Sequence, residues 1–389
     1  MRDAGTRPTL PAVVPFDGWP AVAPEFFGTT VSMPSYVVDT PQRKYEAIVE
    51  RGVLARAGAY VPASAGQVFV ITEPNVWELH GARLRRGLAG RPHEAVFYPG
   101  GEENKRLRAV ETLAEEMVAR GGDRASLVIA FGGGIVNDVG GFTAAVFMRG
   151  VPVLQIPTTL LAQVDAAVGG KTGVDLAAGK NLVGAFHQPL AVLIDPDVLS
   201  TLPEREYRAG LFEVLKYGVI RSPELFRTLA ERSAGVLASK PDIVDGVIAE
   251  CVRIKAEVVS ADEREGGLRM ILNLGHTAGH ALEAETGYSR FRHGEAVAFG
   301  MRAAVHLAER TGHLAAEDSV RILSAIRLYG PIPPLDGVSA EAIARRALAD
   351  KKTLRGQVRW VLPERIGAVK VVSGIDEAVV VACIQEALG

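Results

Sequence analysis

Three of the chain's eight histidines, His276, His280 and His293, fall within 18 positions, and two follow closely on Leu268-Arg269-Met-Ile-Leu-Asn273-Leu-Gly. Histidines at i, i+4 share a helix face and can hold one divalent cation, as the pair of H-E-x-x-H does. Spacing alone leaves open which two of the three would ligate, and a capping histidine beside a buried one is the plainer alternative. Glu213, in Leu211-Phe-Glu213-Val-Leu-Lys216, would complete a two-His, one-Glu set with open positions, a common catalytic arrangement. Glu213 and Lys216 are three apart and share a helix face. Such pairs are usually superficial, but Phe212, Val214 and Leu215 make an interior or cleft position credible here.

Other stretches suit anions. Gly132-Gly133-Gly134-Ile135-Val-Asn-Asp138 follows the apolar run Ser126–Phe131. A glycine turn between strand and helix brings backbone N–H groups close to a pyrophosphate, although this is not G-x-G-x-x-G and a purely structural turn is the rival. Glu73 and Asn75 end another apolar run, where an acid can accept from ribose hydroxyls or cap a helix. Gly101-Glu102-Glu-Asn-Lys105, taken alone, is a solvated turn. Gly170-Lys171-Thr172 invites a P-loop reading, but Asp165 stands where the first glycine is needed, which disfavours a nucleoside triphosphatase. What is left is a small-residue loop presenting Lys171 beside a carboxylate, followed by Gly179-Lys180-Asn181, suited to a phosphate or phosphosugar.

The elements that must position these groups follow from periodicity. Gln67–Thr72, Ala95–Tyr98, Ser126–Phe131, Val151–Ile156 and Ala191–Ile194 read as strands, with a helix over Val110–Ala119 between them. Short buried strands alternating with helices predict a parallel α/β sheet whose ligands sit beyond the carboxyl ends of its strands. Past Pro196 the period turns helical, as at Glu204–Ile220, Ile243–Ser260, Thr277–Thr286, Gly294–Arg310 and Ala340–Ala349, with a hairpin at Val358–Leu362 and Val369–Val372. The expected organisation is an extended proline-rich arm over 1–34, an α/β domain over 35–195 and a helical domain over 196–389.

Composition narrows the function further. Among 389 residues, 43 Lys and Arg face 45 Asp and Glu, a formal charge of −2, so no long-range field gathers nucleic acid or an anionic membrane. Two distant cysteines, Cys251 and Cys383, are neither a disulfide framework nor a metal motif. With no signal-peptide pattern and no long apolar run, the expectation is a reduced, cytoplasmic protein.

Taken in order, Gly132-Gly-Gly-Ile-Val-Asn-Asp138, Met148-Arg149-Gly150, Pro157-Thr-Thr-Leu-Leu-Ala-Gln-Val-Asp165, Gly169-Gly-Lys171-Thr-Gly, Gly179-Lys-Asn181, Glu213-Val-Leu-Lys216, Leu272-Asn-Leu-Gly-His276-Thr and Asp350-Lys351-Lys352 resemble the 3-dehydroquinate synthase family of sugar phosphate cyclases. The resemblance runs from about residue 45 to the C-terminus. It implies a Rossmann-like NAD-binding α/β domain, a mostly helical metal-binding domain and an active site between them. It also implies Glu213, His276 and His293 as ligands of one divalent metal, zinc or else cobalt, and His280 as a substrate contact, which departs from the i, i+4 pairing. NAD contacts fall by resemblance on Glu73, Asn75, Glu102, Lys105, Gly133, Gly134, Ile135, Asp138, Thr158, Thr159, Lys180, Asn181, Thr201, Leu202 and Glu206. Substrate contacts fall on Asp165, Lys171, Lys180, Asn181, Lys216, Lys255, Arg269, Asn273, His280 and one lysine of Lys351/Lys352, with Lys352 preferred. Arg149 matches an arginine that reaches the phosphate across a homodimer interface. The implied reaction converts 3-deoxy-D-arabino-heptulosonate 7-phosphate to 3-dehydroquinate and phosphate. A sister cyclase, a polyol dehydrogenase and a non-catalytic binding protein are the alternatives, and Lys255, Arg269, Asn273 and His280 weigh against the first.

Overall fold

The apolar runs that follow residue 34 assemble one seven-stranded sheet. The computed structural model describes residues 35–349 and 358–389; the expected arm over 1–34 and the lysines Lys351 and Lys352 lie outside them. In chain order the strands are β1 (Ser35–Asp39), β2 (Lys44–Val49), β3 (Val68–Thr72), β4 (His93–Phe97), β5 (Leu127–Gly132), β6 (Val153–Pro157), β7 (Lys171–Leu176), β8 (Gly179–Phe186) and β9 (Ala191–Ile194). The sheet runs β1-β2-β9-β6-β5-β3-β4, and every neighbouring pair is parallel except β1 with β2. Strands β3, β5, β6 and β9 are buried at every residue, as strands covered on both faces must be. Alternate side chains enter two cores: Val68, Val70, Leu127 and Ile129 on one face, Phe69, Ile71, Val128 and Ala130 on the other. Helices α1 (Pro74–Gly87), α2 (Leu107–Ala119) and α3 (Gly134–Val146) complete the α/β part.

Two differences from the sequence reading bear on the site. β1 and β2 extend the sheet by an edge pair that periodicity did not mark. The small-residue stretch around Lys171 is largely an antiparallel hairpin, β7 with β8, rather than a loop. Its glycines and polar residues hide the period of two, because much of β8 is only partly covered.

Beyond residue 195 the chain is mostly helical: α4 (Glu204–Ile220), α5 (Pro223–Glu231), α6 (Ser233–Leu237), α7 (Pro241–Ala261), α8 (His276–Glu285), α9 (His293–Arg310), α10 (Ala316–Tyr329), α11 (Ala340–Ala349) and α12 (Glu377–Leu388). A hairpin, β10 (Arg359–Arg365) with β11 (Ala368–Ser373), lies where one was expected. Among the described residues no helix is long and apolar enough to cross a membrane.

Candidate active site

The parallel strands end together, and the expected cofactor residues stand in the segments that leave them, except Lys180 and Asn181, which lie on β8 of the hairpin. Glu73 follows β3 and precedes Asn75 in the first turn of α1, and its side chain makes no capping hydrogen bond. Gly133, Gly134 and Ile135 start α3 after β5, leaving the first N–H groups of a 13-residue helix without intrahelical acceptors. A methyl on Gly133 would come within 3.1 Å of the Thr159 methyl, so glycine keeps the cradle between β5 and the β6 loop open. Thr158 and Thr159 follow β6, Thr201 and Leu202 close the turn after β9, and Glu206 lies in the first turn of α4. The loop bearing Glu102 is not merely a solvated turn: Lys105 is buried and donates to Asp138 and Asn181, each at 2.6 Å. Strand, helix and hairpin are joined at that one ammonium. Burial disfavours its charge, but Asp138 and Glu102 more than offset this and raise its pKa.

Helices α4, α8 and α9 bring the metal candidates together. Candidate ligand atoms of His276, His280 and His293 lie within 4.8 Å of one another. Glu213 Oε1 faces Nε2 of His276 at 3.8 Å and Nε2 of His293 at 3.5 Å. Glu213 is fully buried, with Oε2 paired to the Lys216 ammonium and Oε1 turned towards both rings. Burial would raise the Glu213 carboxyl, but Lys216, His293 and His276 hold it down at about 2. The far nitrogens are engaged as well: Nδ1 of His276 faces Leu274 O at 3.2 Å, and Nδ1 of His293 faces Glu283 at 3.3 Å. Nε2 is thereby the outward nitrogen of both rings, and two imidazoles with one carboxylate suit a zinc-like cation. His280 packs edge-on to His276, with ring centroids 5.3 Å apart.

A cationic cluster adjoins these groups. Asp165 lies in a π-type turn, Ala162–Ala166, a distortion often found at functional sites. It accepts from Tyr217 at 2.6 Å and from Lys255 at 2.7 Å, with Lys216 at 4.0 Å. Burial opposes its charge, but the two lysines hold its carboxyl well below the usual range. Burial, with Arg269 and Lys216 nearby, brings Lys255 down to about 8 against the pull of Asp165. Arg269 is 2% exposed; Nη1 donates to Glu263 O at 2.5 Å and Nη2 to Gly169 O at 3.1 Å, while Nε has no partner among the described residues. One N–H on each terminal nitrogen is thus committed to the backbone, and the Nε–H remains to be satisfied. Lys171 and Asn273 both meet Glu265, each at 2.5 Å. Lys180 bridges Glu102 at 3.1 Å and Glu283 at 2.9 Å. Arg149 is placed elsewhere, lining a surface groove with Arg43, Phe186 and His187.

Sequence reasoning passed over Tyr217, Glu265 and Glu283. Glu283 had a signal, standing three residues after His280 and seven after His276 on α8. Tyr217 had only its place beside Lys216, and Glu265 had none.

A two-part α/β and helical chain with a histidine–carboxylate cluster beside buried lysines defines a sugar phosphate cyclase-like protein. Two solved cyclases match it. A 2-deoxy-scyllo-inosose synthase complexed with carbaglucose-6-phosphate, NAD+ and Co2+ has a TM-score of 0.81 and 25% identity over 91% of this chain and 99% of that one. A 2-epi-5-epi-valiolone synthase from Streptomyces hygroscopicus subsp. jinggangensis, with NAD+ and Zn2+ bound, has 0.80 and 29% over 95% and 99%. A probable glycerol dehydrogenase from Sinorhizobium meliloti, at 15% identity and a TM-score of 0.61, shares the fold. The chain belongs to the 3-dehydroquinate synthase family. Residues 95–209 match the family's N-terminal model and 210–353 its C-terminal model. The 3-dehydroquinate synthase of Solibacter usitatus is 63% identical over 92% of this chain and all of that protein, and that of Koribacter versatilis is 46% identical over 90% and 96%.

Proposed function

We propose that the protein is an NAD- and metal-dependent 3-dehydroquinate synthase, a phosphate-eliminating carbon–oxygen lyase of the shikimate pathway that serves aromatic amino acid biosynthesis. It acts as a cytoplasmic homodimer, divided near residue 195 into an NAD-binding domain and a metal- and substrate-binding domain. The observation that carries this reading is that two buried cations reach one short segment, Lys255 through Asp165 and Arg269 through Gly169 O, with Lys216 joining Asp165 to the histidine–Glu213 cluster. A buried ammonium and a buried guanidinium held so near one another call for an anion, and a carboxylate distinguishes the heptulosonate from other sugar phosphates.

Glu213, His276 and His293 would hold the metal, zinc or cobalt. The NAD contacts are Glu73, Asn75, Glu102, Lys105, Gly133, Gly134, Ile135, Asp138, Thr158, Thr159, Lys180, Asn181, Thr201, Leu202 and Glu206. When bound, the metal lowers the pKa of substrate hydroxyls and NAD accepts and returns a hydride, with no net redox change. The chain's own groups do the rest. An ammonium has three protons, and Lys255 gives two hydrogen bonds to Asp165, one to its side chain and one to its backbone carbonyl, leaving a third donor for the substrate carboxylate. Lys171, Asn181, Asn273 and His280, with Lys352 and the partner copy's equivalent of Arg149, surround the departing phosphate with cations and hydrogen-bond donors. Asp165 pins Lys255 and Lys216 pairs with Glu213, so these groups keep their places as charge moves from substrate to leaving group. Holding one flexible molecule in a closed pose also favours the final aldol ring closure, for which well-oriented intramolecular reactions gain roughly 7–11 kcal/mol.

The test is substrate competition. With NAD and zinc supplied, the heptulosonate 7-phosphate should release phosphate, whereas sedoheptulose 7-phosphate, which lacks the carboxylate, should not. The reverse preference would make this a sister cyclase.

A further inference from the structure

We infer that Glu283 is a positioning residue of the metal centre: its carboxylate holds the His293 ring in the tautomer that presents Nε2 to the cation, and ties that ring to Lys180 of the β7–β8 hairpin. The inference rests on the proposed ligand set of Glu213, His276 and His293.

Glu283 lies on the face of α8 that carries His276 and His280, and is 2% exposed. A carboxylate so buried needs a partner at each oxygen. Oε2 faces Nδ1 of His293 at 3.3 Å, and Oε1 accepts from Lys180 Nζ at 2.9 Å. The other nitrogen of the same ring faces Glu213 Oε1 at 3.5 Å. A neutral imidazole has one N–H, and a cation at Nε2 requires that proton to be on Nδ1, where Glu283 accepts it. Both neighbours of Glu283 are then donors, and only a carboxylate, an acceptor at both oxygens, satisfies the two together. An amide there would turn its NH2 towards one donor or the other. Lys180 also reaches Glu102 at 3.1 Å, so Glu283 closes a chain of opposite charges from the proposed NAD side, through the hairpin, to the metal-facing ring.

The experiment compares wild-type full-length protein with Glu283→Gln and Glu283→Asp. It reads the zinc dissociation constant by chelator competition, the visible absorption of the Co2+ form, and thermal unfolding of the zinc-depleted chains. Glu283→Gln should bind zinc about 10–100-fold more weakly and alter the cobalt spectrum while the depleted protein still unfolds cooperatively. Glu283→Asp, which keeps the charge but withdraws it from the ring, should fall between, and it carries the comparison if the amide variant does not fold. A folded Glu283→Gln with wild-type zinc affinity and cobalt spectrum would overturn the inference. Zinc binding by the wild type that His293→Ala leaves untouched would instead overturn the ligand assignment beneath it.

Discussion

Helix α9 starts at His293, and its second residue packs directly on the backbone of the helix that carries Glu213. A methyl group added at Gly294 would stand 1.9 Å from Ala209 O and 2.6 Å from Ala209 C on α4. Both are backbone atoms, so no side chain can swing aside. Ordinary contact begins at 3.4 Å, and Gly294→Ala therefore has to part the two helices by about 1.5 Å. Overpacking of this kind costs about 1–3 kcal/mol of stability. The functional cost is larger, because metal–ligand distances tolerate only about 0.2 Å, and the displacement falls between the proposed ligands Glu213 and His293. The expected result is a loss of about 100-fold or more in zinc affinity, at or beyond the upper end for removing an outer hydrogen bond to a ligand. Chelator competition measures the affinity, and urea unfolding of the zinc-depleted protein measures the stability. A Gly294→Ala protein that binds zinc like the wild type would refute the claim that α4 and α9 together build the centre.

Two further perturbations address the proposed carboxylate anchor. Arg269→Ala should raise the Kd of the heptulosonate, and should cost about 1–3 kcal/mol of stability for each buried carbonyl it strands, Glu263 O and Gly169 O; unchanged substrate affinity would remove Arg269 from the site. Lys255, with its pKa lowered to about 8, is charged below that pH and neutral above it, so carboxylate binding is present at pH 7 and lost as pH rises through about 8. The alkaline limb of kcat/KM should move to higher pH in Lys255→Arg, and a limb that stays in place would assign it to another group.

Much of the candidate site's grouping could be read from residue types and order, and the reasons are local. Glycines 132–134 after an apolar run mark a strand-to-helix turn whatever surrounds them. The three closely spaced histidines announce a cluster, and the proposed choice of His276 and His293 leans on their outward Nε2 atoms, which depend on Leu274 O and Glu283. The β7–β8 hairpin escaped notice because Lys171–Leu176 and Gly179–Phe186 carry little apolar alternation. Lys105 reads as a solvated turn residue because its partners Asp138 and Asn181 are 33 and 76 positions away. Arg269 is a similar case, since the carbonyl that occupies Nη2 belongs to Gly169, 100 residues earlier. Tyr217 is placed by Asp165 across 52 residues, and no spacing rule reaches that far.

The central claim is that the protein closes a carbocycle with NAD acting as a catalyst rather than as a consumed oxidant. Purified protein given NAD, zinc and 3-deoxy-D-arabino-heptulosonate 7-phosphate tests it directly when phosphate, 3-dehydroquinate and NADH are followed in one reaction. The account predicts phosphate and dehydroquinate in equal amounts with no accumulation of NADH. NADH rising in step with turnover, or phosphate released without dehydroquinate, would contradict it.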